Sequence, residues 1–286
     1  MEKLGIQLYS LGFDNQDPMP VSFQKLSAMG YKEVEFAGSN YGNMSEQEMK
    51  KALEEAGLTA VSSHVSMDNM EKDIPYVAAI GGKMVICPMF DFATKEEALE
   101  LAGLLNKYGK IAKEHGLMIG YHNHTQEFNQ DGGKYLLDYV IENTEPEYVG
   151  FELDCGWCSN AGQDPVEYLN KYAGRFVAIH IKENNAVSGP KPATSMHAEK
   201  KPFHFEIGPD GKPIFPPEIL KFFEENAKLN CATGQGIVDW KAVKATAEAQ
   251  CKGEMHFFVE REANYAPDKD RLTCLSEDAK WLKNNL

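Results

Sequence analysis

Two patterns alternate along the chain. Amphipathic stretches end near a glycine, and a short apolar run follows. Gly30 precedes Tyr31-Lys32-Glu33-Val34-Glu35-Phe36, Gly57 precedes Leu58-Thr59-Ala60-Val61-Ser62-Ser63-His64, and Gly81-Gly82 precede Met84-Val85-Ile86-Cys87. Gly116, Gly174 and Gly253 introduce the runs beginning at Leu117, Phe176 and Met255. Glycine suits the end of a helix because the residue after the cap needs a positive φ. The runs are short and apolar, as strands buried on both faces are. With runs over 4–11 and 149–153 there are eight, starting near 4, 33, 60, 84, 118, 149, 176 and 255. A βα unit needs about 30 residues, and all but the last interval match. The pattern predicts helices over 95–115 and 164–173 between them. We therefore expect an α/β chain in which residues 1–286 form a single (β/α)8 TIM barrel. A doubly wound sheet obeys the same periodicity and is the rival.

The long interval before the last run holds Gly189-Pro190-Lys191-Pro192, Gly208-Pro209-Asp210-Gly211-Lys212-Pro213 and Pro216-Pro217. Turn chemistry dominates there, with a helix predicted over 217–229. Residues 185–232 read as an elaborated loop between strands 7 and 8. A lid and a plain surface excursion fit it equally.

In a barrel the active site forms at the C-terminal ends of the strands. The residues there are Gln7 and Tyr9, Glu35, His64, Asp91, the cluster His122-Asn123-His124-Thr125-Gln126-Glu127, Asp154, His180 with Lys182, and Glu260 with Glu262. Buried polar groups cost free energy unless paired or bound to something. Polar ends on nearly every strand therefore point to one shared site. Carboxylates mixed with imidazoles suit a single divalent metal ion such as Mn²⁺, Mg²⁺, Co²⁺ or Zn²⁺. Asp154, His180 and Glu260 fall on predicted strands 6, 7 and 8, and a ligand from strand 5 would complete the arc.

Charge and cysteine content narrow the function classes. Lys plus Arg number 29 against 43 Asp plus Glu, a net charge of −14. An acidic chain repels phosphate and is a poor non-specific binder of nucleic acid. There is no run of about 18 apolar residues to span a membrane, and the start lacks the apolar stretch of an export signal. The expected setting is cytoplasmic. Six cysteines lie in apolar segments, the pattern of reduced thiols. Cys155 and Cys158 form one C-x-x-C without the second pair a zinc ribbon needs, leaving two packed thiols or a redox pair.

Six short motifs in order resemble the xylose-isomerase-like TIM barrels, the sugar phosphate isomerase/epimerase superfamily. They are Gly5-Ile6-Gln7-Leu8-Tyr9-Ser10, Tyr121-His122-Asn123-His124 with Glu127-Phe128, Leu153-Asp154 with Trp157, His180-Ile181-Lys182-Glu183, Gly234-Gln235-Gly236-Ile237-Val238-Asp239-Trp240, and Val259-Glu260. The resemblance implies a metal held by residues of strands 5 to 8, with Glu127, Asp154, His180 and Glu260 as ligands. Many members carry a Glu directly in strand 5, where this chain has His122 or His124, so a histidine is the alternative to Glu127. Members also commonly have Glu where this chain has Gln235.

The resemblance further implies a metal-dependent isomerase or epimerase of a small sugar or keto-sugar, working through an enediolate. In that reading Glu127 and Glu260 move the proton and Lys182 steadies developing negative charge. Gln7, His64, His122, His124 and Trp157 would bind substrate, and Phe128 would help wall the pocket. A dehydratase or lyase of the inosose dehydratase type would use the same site to expel a β-hydroxyl. A DNA-repair nuclease would need more metal ligands and a basic surface, and a non-catalytic sugar-binding barrel would need the metal set to be idle. The expected partner is a small molecule rather than nucleic acid or membrane, with a homo-oligomer possible.

Overall fold

The computed structural model describes all residues except 2, 13, 200–205, 209–212 and 267. Eight parallel strands carry the fold: β1 Gly5–Gln7, β2 Glu33–Phe36, β3 Thr59–His64, β4 Met84–Cys87, β5 Met118–His122, β6 Val149–Asp154, β7 Phe176–Ile181 and β8 His256–Val259. Each pairs with the next, and β1 pairs with both β2 and β8, so the sheet is a closed barrel. Closure excludes the doubly wound rival, since Gly5 and Ile6 register against Phe258 and Val259.

Helices wrap the outside: α1 Met19–Met29, α2 Glu46–Ala56, α3 Met70–Ala79, α4 Lys95–Glu114, α5 Leu136–Glu142, α6 Cys155–Asn160, α7 Pro165–Lys171, α8 Pro217–Ala227, α9 Trp240–Gln250 and α10 Arg271–Asn285. Local chemistry sets their ends. Ser45 and Glu48 form a capping box at the start of α2, and Gly57 ends it in the left-handed region. The helices expected over 95–115, 164–173 and 217–229 correspond to α4, α7 and α8.

Alternation along the strands splits the apolar residues. Val85 and Cys87 join the main core between sheet and helices, while Met84 and Ile86 join a smaller set with Val61, Ala178 and Phe258. Gly5 allows the closing contact, because a Cβ there would lie 2.4 Å from the Phe258 ring.

Two features were not expected. The helix α6 starts directly after β6, because the Asp154 carboxylate caps it by accepting from the Trp157 backbone N–H at 2.7 Å. Residues 234–240 are a buttress. The Glu183 carboxylate accepts from Gly234 N–H at 2.8 Å and from the Trp240 indole N–H at 2.6 Å. A Cβ on Gly236 would meet that carboxylate at 2.3 Å, so this motif serves the frame, and Gln235 is exposed.

The elaborated segment between β7 and β8 contains a small antiparallel pair, Glu206–Ile207 with Pro213–Ile214, followed by α8. Most of its turn run at 208–213 lies outside the described residues. Its first part folds over the barrel mouth. Lys191 N–H donates to Thr125 Oγ1 at 3.2 Å, and Asn129 Nδ2 donates to the Lys191 carbonyl at 2.6 Å.

Candidate active site

Period-two alternation turns residues i and i+2 of a strand to the same face. Glu152 and Asp154 of β6 therefore share the barrel interior, as do Glu33 and Glu35 of β2. His122 closes β5, His64 closes β3, and His180 lies on β7. Glu260 follows β8 directly.

Four of these form an upper group: His122, Asp154, His180 and Glu260, whose ligand-type atoms all lie within 4.8 Å of one another. His122 Nε2 is 3.4 Å from Asp154 Oδ2, and His180 Nδ1 is 3.8 Å from Asp154 Oδ2 and 3.2 Å from Glu260 Oε2. Donors about 2.1 Å from a tetrahedral metal stand about 3.4 Å apart. His122 Nδ1 lies 3.1 Å from the Pro88 carbonyl oxygen, which can only accept, so the proton belongs on Nδ1 and Nε2 presents a lone pair. That lone pair faces the acceptor Asp154 Oδ2, and neither buried atom has a hydrogen-bond partner. Two orphaned acceptors facing each other fit a cation between them. The donor set, two imidazoles and two carboxylates, suits a divalent transition metal.

Beneath it lies a lower group, Glu35, His64, Glu152 and His180. Its separations are shorter. His180 Nε2 is 2.7 Å from Glu35 Oε1 and 3.0 Å from Glu152 Oε2, and His64 Nε2 is 2.8 Å from Glu152 Oε2. These are charge-assisted hydrogen-bond lengths. Gln7 Nε2 and Ser62 Oγ also donate to Glu35, at 2.9 and 2.6 Å. Burial opposes charge on His64, but Glu35 and Glu152 overcome it and push the imidazole up to about 10. Burial likewise opposes charge on Glu35, and His64 with His180 hold its carboxyl well below the usual range. The lower group holds the Nε2 proton of His180, and its Nδ1 turns to the upper group, where it bonds Glu260 Oε2 at 3.2 Å; burial opposes charge on this imidazole, but Glu152, Glu260 and Glu35 push it well above its usual value.

Around the upper group the remaining residues take distinct places. Lys182 is buried, with Nζ 2.7 Å from Glu262 Oε1 and 3.3 Å from Glu260 Oε2. Despite burial, these carboxylates push its pKa up, so it stays an ammonium. Burial resists the charge on Glu260, and Lys182 and His180 keep its carboxyl well below the usual range. Lys182 and Lys191 lie over the Trp157 ring, 4.5 and 5.3 Å from its centroid. Burial and then His122 push His124 well below its usual value, so it is neutral.

Glu127 stands apart from this set. Its fully buried carboxylate accepts from Tyr121 OH at 2.8 Å and from His124 N–H at 2.9 Å. It belongs to neither group and does not line the cavity. The strand-5 member that the structure brings to Asp154, His180 and Glu260 is His122, because β5 ends there and Glu127 sits in the following turn, Gln126–Phe128. Phe128 is likewise buried behind the wall. Gln7 reaches the cavity, but its amide is spent on Glu35 and on the Tyr9 N–H.

The barrel mouth opens into a cavity of about 1220 Å³. His64, His122, His124, Trp157, Glu260 and Glu262 line one side of it. Among the described residues, eight buried side-chain polar atoms lack a partner. Five belong to this region: His122 Nε2, His124 Nδ1, Glu152 Oε1, Asp154 Oδ2 and Trp157 Nε1. Such atoms are costly when nothing meets them, and their convergence marks a ligand site. Glu35 was expected at a strand end without a stated role, and Glu152 was missed, although it stands two residues before Asp154 on a strand. Cys155 and Cys158 are fully buried and burial pushes both thiols well above their usual value, which suits packing rather than redox exchange.

The model of the xylose isomerase-like TIM barrel family matches residues 23–285. The chain belongs to that family. Among curated relatives, the inosose dehydratase of Clostridium botulinum (strain Alaska E43 / Type E3) is 26% identical over 265 residues, covering 79% of this chain and 87% of that protein. A sugar phosphate isomerase/epimerase from Parabacteroides distasonis superposes with a TM-score of 0.73 at 22% identity, over 99% of this chain and 94% of that one. The IOLI protein, whose crystal structure holds a zinc atom, superposes at 0.67 and 13% identity over 99% and 97% of the two chains. At these identities the two structures speak for the fold alone. Family members include isomerases, epimerases and dehydratases. No helix among the described residues is long and apolar enough to cross a membrane.

Proposed function

We propose that this barrel is a divalent-metal-dependent isomerase or epimerase of a small keto-sugar. The observation that carries the reading is the pair of orphaned acceptors, His122 Nε2 and Asp154 Oδ2, beside His180 and Glu260, in a group that meets the cavity through His122 and Glu260. His122, Asp154, His180 and Glu260 would hold the metal, in place of the Glu127 expected at strand 5. When bound, a divalent cation supplies a Lewis acid for a substrate carbonyl and the neighbouring hydroxyl.

The chain's own residues account for the rest. Glu260 reaches the cavity as a charged carboxylate and can take a proton from carbon next to the carbonyl. Neutral His124, with its unpartnered Nδ1, lines the same cavity and can accept or return a proton. The Lys182 ammonium does not line the cavity; from behind Glu260 and Glu262 it keeps Glu260 charged and offsets negative charge that develops nearby. Trp157 offers an apolar face and an unpartnered N–H. Glu127 is a positioning residue that holds His124 by its backbone.

A second outcome has its own support. The curated relatives matched here are named inosose dehydratases. Proton removal followed by loss of a β-hydroxyl would use the same groups, with His64 near the leaving oxygen.

Elemental analysis of the purified protein tests the site. The expected result is about one divalent metal per chain, lost in His122→Ala and retained in Glu127→Ala. Metal lost from Glu127→Ala and kept by His122→Ala would return the strand-5 role to Glu127. Solvent deuterium entering the carbon next to the carbonyl of a ketose or inosose tests the chemistry, and release of an unsaturated product would select the dehydratase outcome.

A further inference from the structure

The cavity is larger than a monosaccharide requires. At about 1220 Å³ it exceeds the ~300–1,000 Å³ typical of pockets for drug-sized ligands. Its two sides differ in chemistry. The side built by β5 to β8 carries the unpartnered polar atoms described above. The opposite side comes from the turn after β1, the start of α1 and the loops after β2 and β4, and offers Leu11, Met19, Met44 and Met89, bordered by the buried Leu8 and Phe23. Met89 is 57% exposed although it lines a cavity. Methionine makes a soft wall that adapts to flat apolar groups.

Several polar residues on that second side are already engaged within the chain. Asn15 Nδ2 donates to Ser22 Oγ at 3.1 Å, and its Oδ1 accepts from Asp17 N–H. Asp17 pairs with Lys25, and Glu48 caps α2. A second sugar ring would have to compete with these bonds for its hydroxyl partners. A phosphate would meet a lining that holds four carboxylates, Asp17, Glu48, Glu260 and Glu262, against the single lysine Lys191.

We infer that the substrate is a glycoside: a keto-sugar ring on the polar floor, with an apolar aglycone on the methionine-rich wall. The inference rests on the proposed keto-sugar reading and names its substrate class. The sugar hydroxyls meet the unpartnered atoms of His124 and Trp157, and the aglycone covers Met19, Met44 and Met89.

Calorimetry on the metal-containing protein tests it, comparing phenyl glucoside, methyl glucoside and cellobiose. Phenyl glucoside should bind about tenfold tighter than methyl glucoside, from burial of one aromatic ring. In the double variant Met19→Asp, Met89→Asp the ratio of the two affinities should fall close to one. Met44→Asp replaces the double variant if circular dichroism shows that it does not fold. Equal affinities, a preference that survives the substitutions, no binding of phenyl glucoside, or tighter binding of cellobiose would each overturn the aglycone subsite. Deuterium exchange on phenyl 3-ketoglucoside keeps the two readings apart. Preference without exchange removes the proton-transfer chemistry and leaves the subsite, whereas exchange without preference removes the subsite and leaves the chemistry.

Discussion

His180 stands between two groups of identical composition, each with two imidazoles and two carboxylates. In the upper group the separations are 3.2, 3.4 and 3.8 Å: the first is a His180–Glu260 hydrogen bond, and at the second two unpartnered acceptors, His122 Nε2 and Asp154 Oδ2, face each other. In the lower group they run from 2.7 to 3.2 Å, and a proton can lie between each imidazole nitrogen and a carboxylate. In the upper group His122 Nε2 and Asp154 Oδ2 are left without a hydrogen-bond partner, which is the place the proposed cation would take. The lower group is closed by its own hydrogen bonds, save for Glu152 Oε1. Residue types therefore do not tell the two groups apart. Spacing, and the count of satisfied lone pairs, do.

The largest effect should come from cutting the upper group where nothing else depends on it. Asp154 has two duties: Oδ1 caps α6 and Oδ2 is orphaned. Asn at this position keeps the cap, since Asn is as good an N-cap as Asp, but turns an amide N–H₂ toward the other donors. Asp154→Asn should lose the metal and about a thousandfold or more in activity, while urea unfolding of the metal-free protein shifts by less than about 1 kcal/mol. A metal-free variant destabilised as strongly as a core deletion would break the comparison.

Cutting the lower group should do the reverse. Glu35 accepts from Gln7, Ser62, His64 and His180. Glu35→Ala leaves two buried imidazoles short of a counter-charge, and removing one partner of a buried ion pair costs about 3–5 kcal/mol. The metal should remain, with affinity weakened about 10–100-fold because His180 loses the partner that fixes its Nε2 proton. Competition with a chelator reads the affinity, and urea unfolding reads the stability. Complete metal loss at unchanged stability would mean that the lower group is itself the metal site.

The strands were legible because parallel strands buried on both faces are continuous apolar runs, six of the eight preceded by a glycine near the end of the helix before. Closure was not, since β1 pairing with β8 is a contact across more than 250 residues that periodicity does not encode. The helix α6 was hidden as well. It has six residues and contains Gly156, whose Cβ would lie 2.4 Å from the Lys182 carbonyl oxygen, and its start depends on a cap by Asp154. Strand 5 posed the hardest question. His122 and His124 share a face by alternation, but Glu127 lies past the strand, where a short 3₁₀ turn decides its direction. That turn carries it behind the wall, against Tyr121.

Glu127 also supplies the smallest and sharpest test of what a buried carboxylate does without an imidazole partner. Glu35, between two imidazoles, is held well below the usual range, whereas burial pushes Glu127 up to about 7 from the usual 4.5, its hydrogen bonds to Tyr121 and His124 only partly opposing this. A folded pKa above the unfolded one means that the folded chain binds more protons between those two values. The stability this contributes is complete below about pH 4.5 and is lost as pH rises through about 7. The loss amounts to about 3 kcal/mol. Glu127→Gln has no proton to release, so its unfolding free energy should be flatter between pH 5 and 8 by about that amount, after an offset of about 1 kcal/mol for the amide that now faces the His124 N–H. Urea titrations of both proteins across that range measure the difference directly. Parallel pH profiles would show that Glu127 is already charged in the folded chain, and the contrast between carboxylates with and without an imidazole partner would fall.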